Sequence, residues 1–534
     1  MPSLNWIGKE AVEHHHKEVP YRLIHCDGEL SAGDPDAGNL LVQGDNLEAL
    51  KALLPYYAGA VKCIYIDPPY NTGNEGWVYN DNTNSPEIRA WLGKVVGKET
   101  EDLSRHDKWL CMMYPRLRLL RDFLRDDGVI FVSIDDVAVH YLRILMDSIF
   151  KETNFIAQLI WKSRQNKDNR NTTGVSNDHE YVLAYGNRLR GEHRDITQYK
   201  NPDNDPRGPW VSGNMVGIAT KSARPNLHYN LIDPSSGTDY GCPTMGWRYD
   251  RSRMAKMIQE ERILWPTSPN GRPRAKNFLN ELRDDFTGFS SIIGEGIFTR
   301  NGTKAIDDIF GTRKFDFPKP PELISQLIAQ VSEDDDLVLD SFGGSGTTGH
   351  AVLELNRQDQ GNRRFILVEM NENIAQTITA TRLQKVIAGY SKGGDATKPV
   401  AGLGGGFRYC RLGVPLFNEF GDIDGEVSFP DLAAHVFFAE TGAPIPNKAQ
   451  PGNAYLGKHG NKAVYLLFAQ GQQGFPREAL GNMLTPAALG ALPPVPAGFD
   501  GTRIVYAEGT TVSADRLKAA GVTFKQIPYQ IAGL

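Results

Sequence analysis

The stretch Val61-Lys62-Cys63-Ile64-Tyr65-Ile66-Asp67-Pro68-Pro69-Tyr70 decides how the chain is read. Its first six residues are β-rich and almost continuously apolar, the pattern of a strand buried on both faces. The run stops at an acid followed by two prolines. Consecutive prolines fix φ, remove two backbone donors and hold the preceding residue extended. The resulting stiff turn offers acceptors, the Asp67 carboxylate and the Pro68 carbonyl, beside one aromatic plate, Tyr70. In an open α/β sheet, ligands bind outside the carboxyl ends of strands, so this turn lies where chemistry is done. Two acceptors converging on one amino group, with a ring to stack on, suit an exocyclic amine of a planar base. That nitrogen is a poor nucleophile because its lone pair is conjugated into the ring. Acceptors that favour a pyramidal nitrogen localise the pair, a preorganised electrostatic effect. The plainer alternative is a strand-ending proline turn with a capping acid.

Outward from this stretch, further short apolar runs end abruptly in Gly, Pro or Asp: 129–134, 155–161, 181–185, 337–339 and 365–368. All read as buried parallel strands. Helical spacing alternates with them. Leu47, Leu50 and Leu54 share a face, as do Met113, Leu117, Leu120 and Leu124; 323–329 and 375–388 behave likewise. This rhythm predicts an α/β fold, a doubly wound sheet with right-handed crossovers. It is interrupted at 186–309, a stretch rich in Asn, Pro, Gly, Arg and Trp. Residues 186–286 hold 16 basic and 12 acidic residues, a local basic excess in a chain of net charge -6. After a glycine-rich hinge at 391–406, alternating strand-like and helical runs predict a small α+β domain over 403–534. The expected division is a catalytic half at 1–185, an insert at 186–309, a second half at 310–392 and the accessory domain.

The 534 residues amount to roughly three to four domains of material. With 40% hydrophobic and 23% charged residues, the composition excludes wholesale disorder and fibrous repeats. No run approaches the ~18 apolar residues of a membrane helix. The first residues lack an apolar leader core. Five scattered cysteines, Cys26, Cys63, Cys111, Cys242 and Cys410, without a C-x-x-C pair, predict neither a disulfide framework nor a zinc finger and fit a reducing cytoplasm. The negative total charge excludes a basic nucleic-acid coat, so any DNA contact needs a local patch. Arg248, Arg251, Arg253, Arg272, Arg274 and Lys276, interleaved with Tyr249 and Trp265, form such a patch, suited to phosphate contact and stacking; a solvated surface is the alternative. His14-His15-His16 predicts no metal site, since adjacent imidazoles cannot converge on one ion in a helix or strand.

A second motif follows the run 337–339: Asp340-Ser341-Phe342-Gly343-Gly344-Ser345-Gly346-Thr347-Thr348-Gly349. Its glycines permit a tight turn and close backbone approach to a ligand at the start of a helix. Gly344, Gly346 and Gly349 match G-x-G-x-x-G, and Glu369 stands just beyond the next strand, in register to grip ribose hydroxyls. Both a nicotinamide dinucleotide and S-adenosylmethionine carry such a ribose. An ordinary βα turn is the remaining reading.

Together, Asp-Pro-Pro-Tyr and a distant downstream Phe-x-Gly-x-Gly resemble the β class of DNA amino-methyltransferases, and most closely the Mod subunits of type III restriction–modification systems and their solitary relatives. Leu41-Val42-Gln43-Gly44-Asp45-Asn46-Leu47, the segment 126–136, Asp178-His179-Glu180-Tyr181 and Phe315-Asp316-Phe317-Pro318-Lys319-Pro320 extend the resemblance. Ser341 and Gly344 stand where the family usually has Pro and Ala. The resemblance implies a circularly permuted, seven-stranded, Rossmann-like methyltransferase sheet with the target-recognition region inserted between its halves. It implies Asp67, Pro68, Pro69 and Tyr70 as the catalytic motif. It implies S-adenosylmethionine as cofactor, at Asp45, Asp340, Phe342, Gly344, Gly346 and Glu369, with Phe315 and Lys319 at its methionine end. The implied reaction is N6 methylation of a flipped adenine in double-stranded DNA. The implied partners are a second copy of the chain and a translocase–nuclease restriction subunit, with no membrane. N4 methylation of cytosine, a nicotinamide-dependent dehydrogenase and a non-catalytic DNA-binding subunit are the competing readings. The dehydrogenase leaves Asp67 to Tyr70 without a task.

Overall fold

The computed structural model describes residues 4–70, 105–168, 174–268, 270–418, 421–468, 482–496 and 498–527. It divides into two compact units, 1–189 with 290–534, and 190–289.

The larger unit is built on ten strands among the described residues: β1 Arg22–Gly33, β2 Leu40–Gln43, β3 Val61–Ile66, β4 Leu124–Ile134, β5 Phe155–Trp161, β6 Glu180–Gly186, β7 Ile292–Ile293, β8 Leu337–Asp340, β9 Arg364–Glu369 and β10 Gly406–Pro415. Their order across the mixed sheet is β1-β10-β2-β9-β8-β3-β4-β6-β5-β7. The central run from β2 to β5 contains the seven strands the resemblance implies; β1 and β10 extend it at one side and β7 at the other. The expectation that every apolar run is parallel fails for β6, which is antiparallel to both β4 and β5. Continuous apolarity reports burial on two faces, and an antiparallel strand covered on both sides satisfies it equally.

Helices cover the sheet. They include α1 Asn46–Tyr57, α2 Arg105–Phe123, α3 Pro321–Ala329, α4 Thr347–Asp359 and α5 Thr381–Ala388. Leu47, Leu50 and Leu54 of α1 and Met113, Leu117 and Leu120 of α2 are buried, as their spacing predicts. They join Ile64, Ile66, Ile130 and Val132 of the central strands in one apolar core.

The C-terminal part differs from the expected division. β10, placed by sequence in the accessory domain, lies in the main sheet, parallel to β2 and antiparallel to β1. This register sets Cys26 against Cys410, and the two form a disulfide. The cysteine spacing argues against a disulfide framework and does not foresee this single pair; Cys63, Cys111 and Cys242 remain thiols. Farther on, helix α6 Phe429–Thr441 accompanies a four-stranded sheet, β11 Tyr455–His459, β12 Lys462–Leu466, β13 Thr502–Ala507 and β14 Val522–Gln526, adjacent in that order.

The smaller unit has a three-stranded sheet of Trp210–Asn214, Arg274–Phe278 and Ile263–Leu264, in that order. Helix Arg251–Gln259, capped by the Asp250 side chain, packs Met254 and Met257 with Trp247 and Tyr229 in a local core. Among the described residues, no helix is long and apolar enough to cross a membrane, and no group of His, Cys, Asp and Glu is arranged to hold a metal ion.

Candidate active site

Strands β2, β9, β8, β3 and β4 run parallel as successive neighbours, so their carboxyl ends share one edge of the sheet. There the chain turns out into Gly44-Asp45, Asn371, Ser341-Phe342, Asp67-Pro68 and Asp135. β6 runs oppositely and delivers its first residue, Glu180, to the same edge, because Tyr181 pairs with Ile134.

At the end of β3, the Asp67 carboxylate meets an ammonium from far along the chain. Lys319 Nζ donates to Oδ1 and Oδ2 of Asp67, both at 2.8 Å, and to the Tyr70 hydroxyl at 2.6 Å. The same Nζ lies 3.4 Å from Glu180 Oε2, to which the Tyr70 hydroxyl donates at 3.0 Å. Trp109 of α2 fixes the second proline by donating its indole N–H to the Pro69 carbonyl at 2.6 Å. Burial pushes the Asp67 carboxyl above its ordinary range, with Lys319 opposing. Burial alone would lower the Lys319 ammonium, but Asp67 and Glu180 more than offset it and hold it above the usual lysine range. The Tyr70 phenol is raised well above 10 by burial, with Asp67 and Glu180 adding to the shift.

Next door, the glycine turn after β8 is tied down at several points. Asp340 accepts the Phe342 backbone N–H at 2.9 Å and the Thr348 hydroxyl at 2.6 Å. Buried, and close enough to feel Asp67 and Glu369, its carboxyl rises to about 7. Glu369 accepts the Gly344 N–H at 2.9 Å through Oε2 and the Asn371 N–H at 2.7 Å through Oε1. Gly346, at φ +77°, caps α4 with a backbone that side-chain-bearing residues adopt at a cost. Phe342 is half-buried against the core, and Phe315 is buried. The Thr347 hydroxyl donates to the Lys319 carbonyl at 3.3 Å, linking the glycine turn to the residue that contacts Asp67.

Asp45 caps α1, accepting the N–H groups of Leu47 and Glu48, and pairs with Arg116 at 3.0 Å. Arg116, fully inside α2, also donates to Asn46 Oδ1 and to the Met112 carbonyl.

These contacts bring Asp67, Tyr70, Asp340, Phe342, Gly344, Gly346, Glu369, Asp45 and Lys319 to one edge. Lys319, read with the cofactor set, is bonded here to the catalytic motif. Sequence alone does not single out Glu180, Trp109 or Arg116 as site residues; the segment Asp178-His179-Glu180-Tyr181 is the one signal pointing at Glu180. The basic residues of the patch lie in the smaller unit. Arg248, Arg251, Arg253, Arg272 and Arg274 are exposed. Lys276 is not an available phosphate contact: its ammonium is paired with Asp203 and, at 3.1 Å, with Asp205.

The cleft suits S-adenosylmethionine. Carboxylates at neighbouring strand ends favour a sulfonium cation and can accept from a ribose diol. A Cβ on Gly346 would sit 3.0 Å from Thr379 Cγ2, so the glycine turn packs tightly against the segment that carries Thr379.

Fold and cleft together place the Asp-Pro-Pro-Tyr turn beside the glycine turn at adjacent strand ends of an α/β sheet. The DNA methylase family profile matches residues 61–380. The chain is 31% identical over 476 residues, 82% of its length, to the type III restriction-modification enzyme StyLTI Mod subunit of Salmonella typhimurium. It is 29% identical, over 69% of its length, to the EcoP15I Mod subunit of Escherichia coli. It is 32% identical, also over 69%, to the type II methyltransferase M.KpnI of Klebsiella pneumoniae. It spans 70% and 64% of the two Mod subunits' own lengths and 88% of M.KpnI's. The chain belongs to this DNA methylase family, and the activity is S-adenosylmethionine-dependent methylation of DNA. The dehydrogenase and non-catalytic readings fall with that assignment.

Proposed function

We propose that the chain methylates N6 of adenine in double-stranded DNA, as the modification component of a restriction–modification system. Asp67, together with Tyr70, at the strand end beside the glycine turn carries this reading. Asp67 and the Pro68 carbonyl accept the two N–H bonds of the target amine, and Pro69 keeps the turn rigid. Tyr70 stacks on the base, worth roughly 1–3 kcal/mol against the few kcal/mol needed to flip it out of the duplex. Asp45, Asp340, Phe342, Gly344, Gly346 and Glu369 hold the cofactor's nucleoside, with Phe315 toward its methionine end; bound there, S-adenosylmethionine supplies an electrophilic methyl group on sulfur. The chain's own task is alignment of donor and amine and relief of the amine's conjugation.

The catalytic half precedes the cofactor half along the chain, which we read as a circular permutation of the methyltransferase sheet. The unit 190–289, within the expected insert 186–309, reads the target sequence through Arg248, Arg251, Arg253, Arg272 and Arg274. The relatives' names support a restriction–modification setting, and to it we add a cytoplasmic location, with a second copy of the chain and a restriction subunit as partners. Incubation with duplex DNA and labelled S-adenosylmethionine, followed by nucleoside chromatography and long-read sequencing, tests the reading. N6-methyladenine at one sequence motif is expected; N4-methylcytosine, or no transfer, contradicts it.

A further inference from the structure

The amine-binding acceptors are taken in this structure. Lys319 Nζ sits on the bisector of the Asp67 carboxylate, equidistant from its two oxygens, and also reaches the Tyr70 hydroxyl. Methyl transfer makes an arrangement of this kind untenable at the moment of reaction. The amine nitrogen's lone pair forms the new N–C bond, the C–S pair leaves on sulfur, and the positive charge moves from sulfur to nitrogen until that nitrogen gives a proton to solvent water. An ammonium held on Asp67 opposes both the hydrogen bond to the amine and the arriving charge. Lys319 cannot escape by becoming neutral, because two carboxylates keep it protonated. It is also too enclosed, at 8% exposure, to swing into solvent.

Among the described residues, a second carboxylate stands within reach. Glu180 Oε2 lies 3.4 Å from Nζ and is held in place by the Tyr70 hydroxyl. Accepting the functional reading above, we propose that Glu180 is a positioning residue for methyl transfer: it receives the Lys319 ammonium when the target amine takes the Asp67 carboxylate. The Lys319 ammonium then keeps a carboxylate partner while Asp67 is released to the base. The Thr347-to-Lys319 hydrogen bond holds the lysine backbone during this exchange, so only the side chain moves.

A mutant cycle tests it, using the full chain and a duplex carrying the site identified by sequencing. Two quantities are read: the single-turnover methylation rate, and the ratio of Kd for duplexes with purine and with adenine at the target, which isolates the 6-amino contact without turnover. Glu180→Gln keeps shape and removes charge. It should slow the single turnover at least tenfold and shrink the Kd ratio, with S-adenosylmethionine affinity unchanged. Lys319→Met should enlarge the ratio, and adding Glu180→Gln to it should change rate and ratio less than twofold. Equal damage by Glu180→Gln in both backgrounds, or an unchanged ratio, overturns the inference while the wild type still methylates. A wild type that transfers no methyl group overturns the functional reading as well.

Discussion

Cys63 and Val338 are register partners in the neighbouring parallel strands β3 and β8, and this pairing carries Asp67 and Asp340 to the same edge of the sheet. The Asp-Pro-Pro-Tyr motif and the glycine turn, remote in sequence, thereby become adjacent strand ends. Asp340 feels the charge of Asp67 across that gap.

The glycine turn is buttressed from behind by a buried cation. Arg382 of α5 donates to the Ser345 carbonyl at 3.2 Å, the Ser345 hydroxyl at 3.0 Å and the Thr347 hydroxyl at 2.8 Å. Arg382→Met leaves buried acceptors without a donor, at about 1–3 kcal/mol. Since 1.4 kcal/mol is tenfold in affinity, calorimetry should find S-adenosylmethionine binding weakened roughly tenfold and duplex DNA binding unchanged.

Gly346→Ala strains the same turn differently. At φ +77° a Cβ costs about 1–2 kcal/mol, and it presses on Thr379, whose hydroxyl donates to the Gly344 carbonyl at 2.6 Å. The expected outcome is a lower Tm and weaker cofactor binding together, with methylation restored in part by saturating S-adenosylmethionine.

The strand pattern is largely legible in sequence, and the pairing is not. The runs 61–66 and 155–161 coincide with β3 and β5, but the reading of burial on both faces holds only for β3; β5 leaves Gln158 and Ile160 exposed, so apolar content locates the strand without reporting its second face. β1 and β10 escape such a reading. β1 carries polar residues through most of its length and sits at the sheet's margin, while β10 is joined to β2 by pairings no local window contains. The same limit applies to charges. Lys319 beside prolines resembles a surface lysine until the fold sets it on Asp67, and Arg116 and Arg382 gain their meaning from partners on other elements.

Acid should destabilise the larger unit through His435. Its ring is buried in α6 against Tyr21 and Phe417, neither nitrogen has a hydrogen-bond partner, and burial, with Lys51 nearby, lowers its pKa from 6.5 to about 3. Only the unfolded chain takes up this proton between those values, so the ring's contribution is intact above pH 6.5 and is lost progressively toward pH 3. Denaturant titrations of His435→Phe should show a shallower acid limb than those of the wild type.

In the smaller unit, the arginines and Lys276 should separate by salt dependence. Arg248→Ala, Arg253→Ala and Arg272→Ala should each reduce the slope of log K against log salt by about 0.9 for every phosphate that the arginine neutralises. Lys276→Ala should leave the slope unchanged and lower the unit's stability, because it abandons Asp203 without its cation and leaves Asp205 with Arg207 alone.

Asp67→Ala probes the shared cleft most directly. The account predicts that this variant binds S-adenosylmethionine and duplex DNA with affinities close to those of the wild type and gives no methyl transfer in a single-turnover assay with labelled cofactor. Transfer at a rate near the wild type's would contradict it.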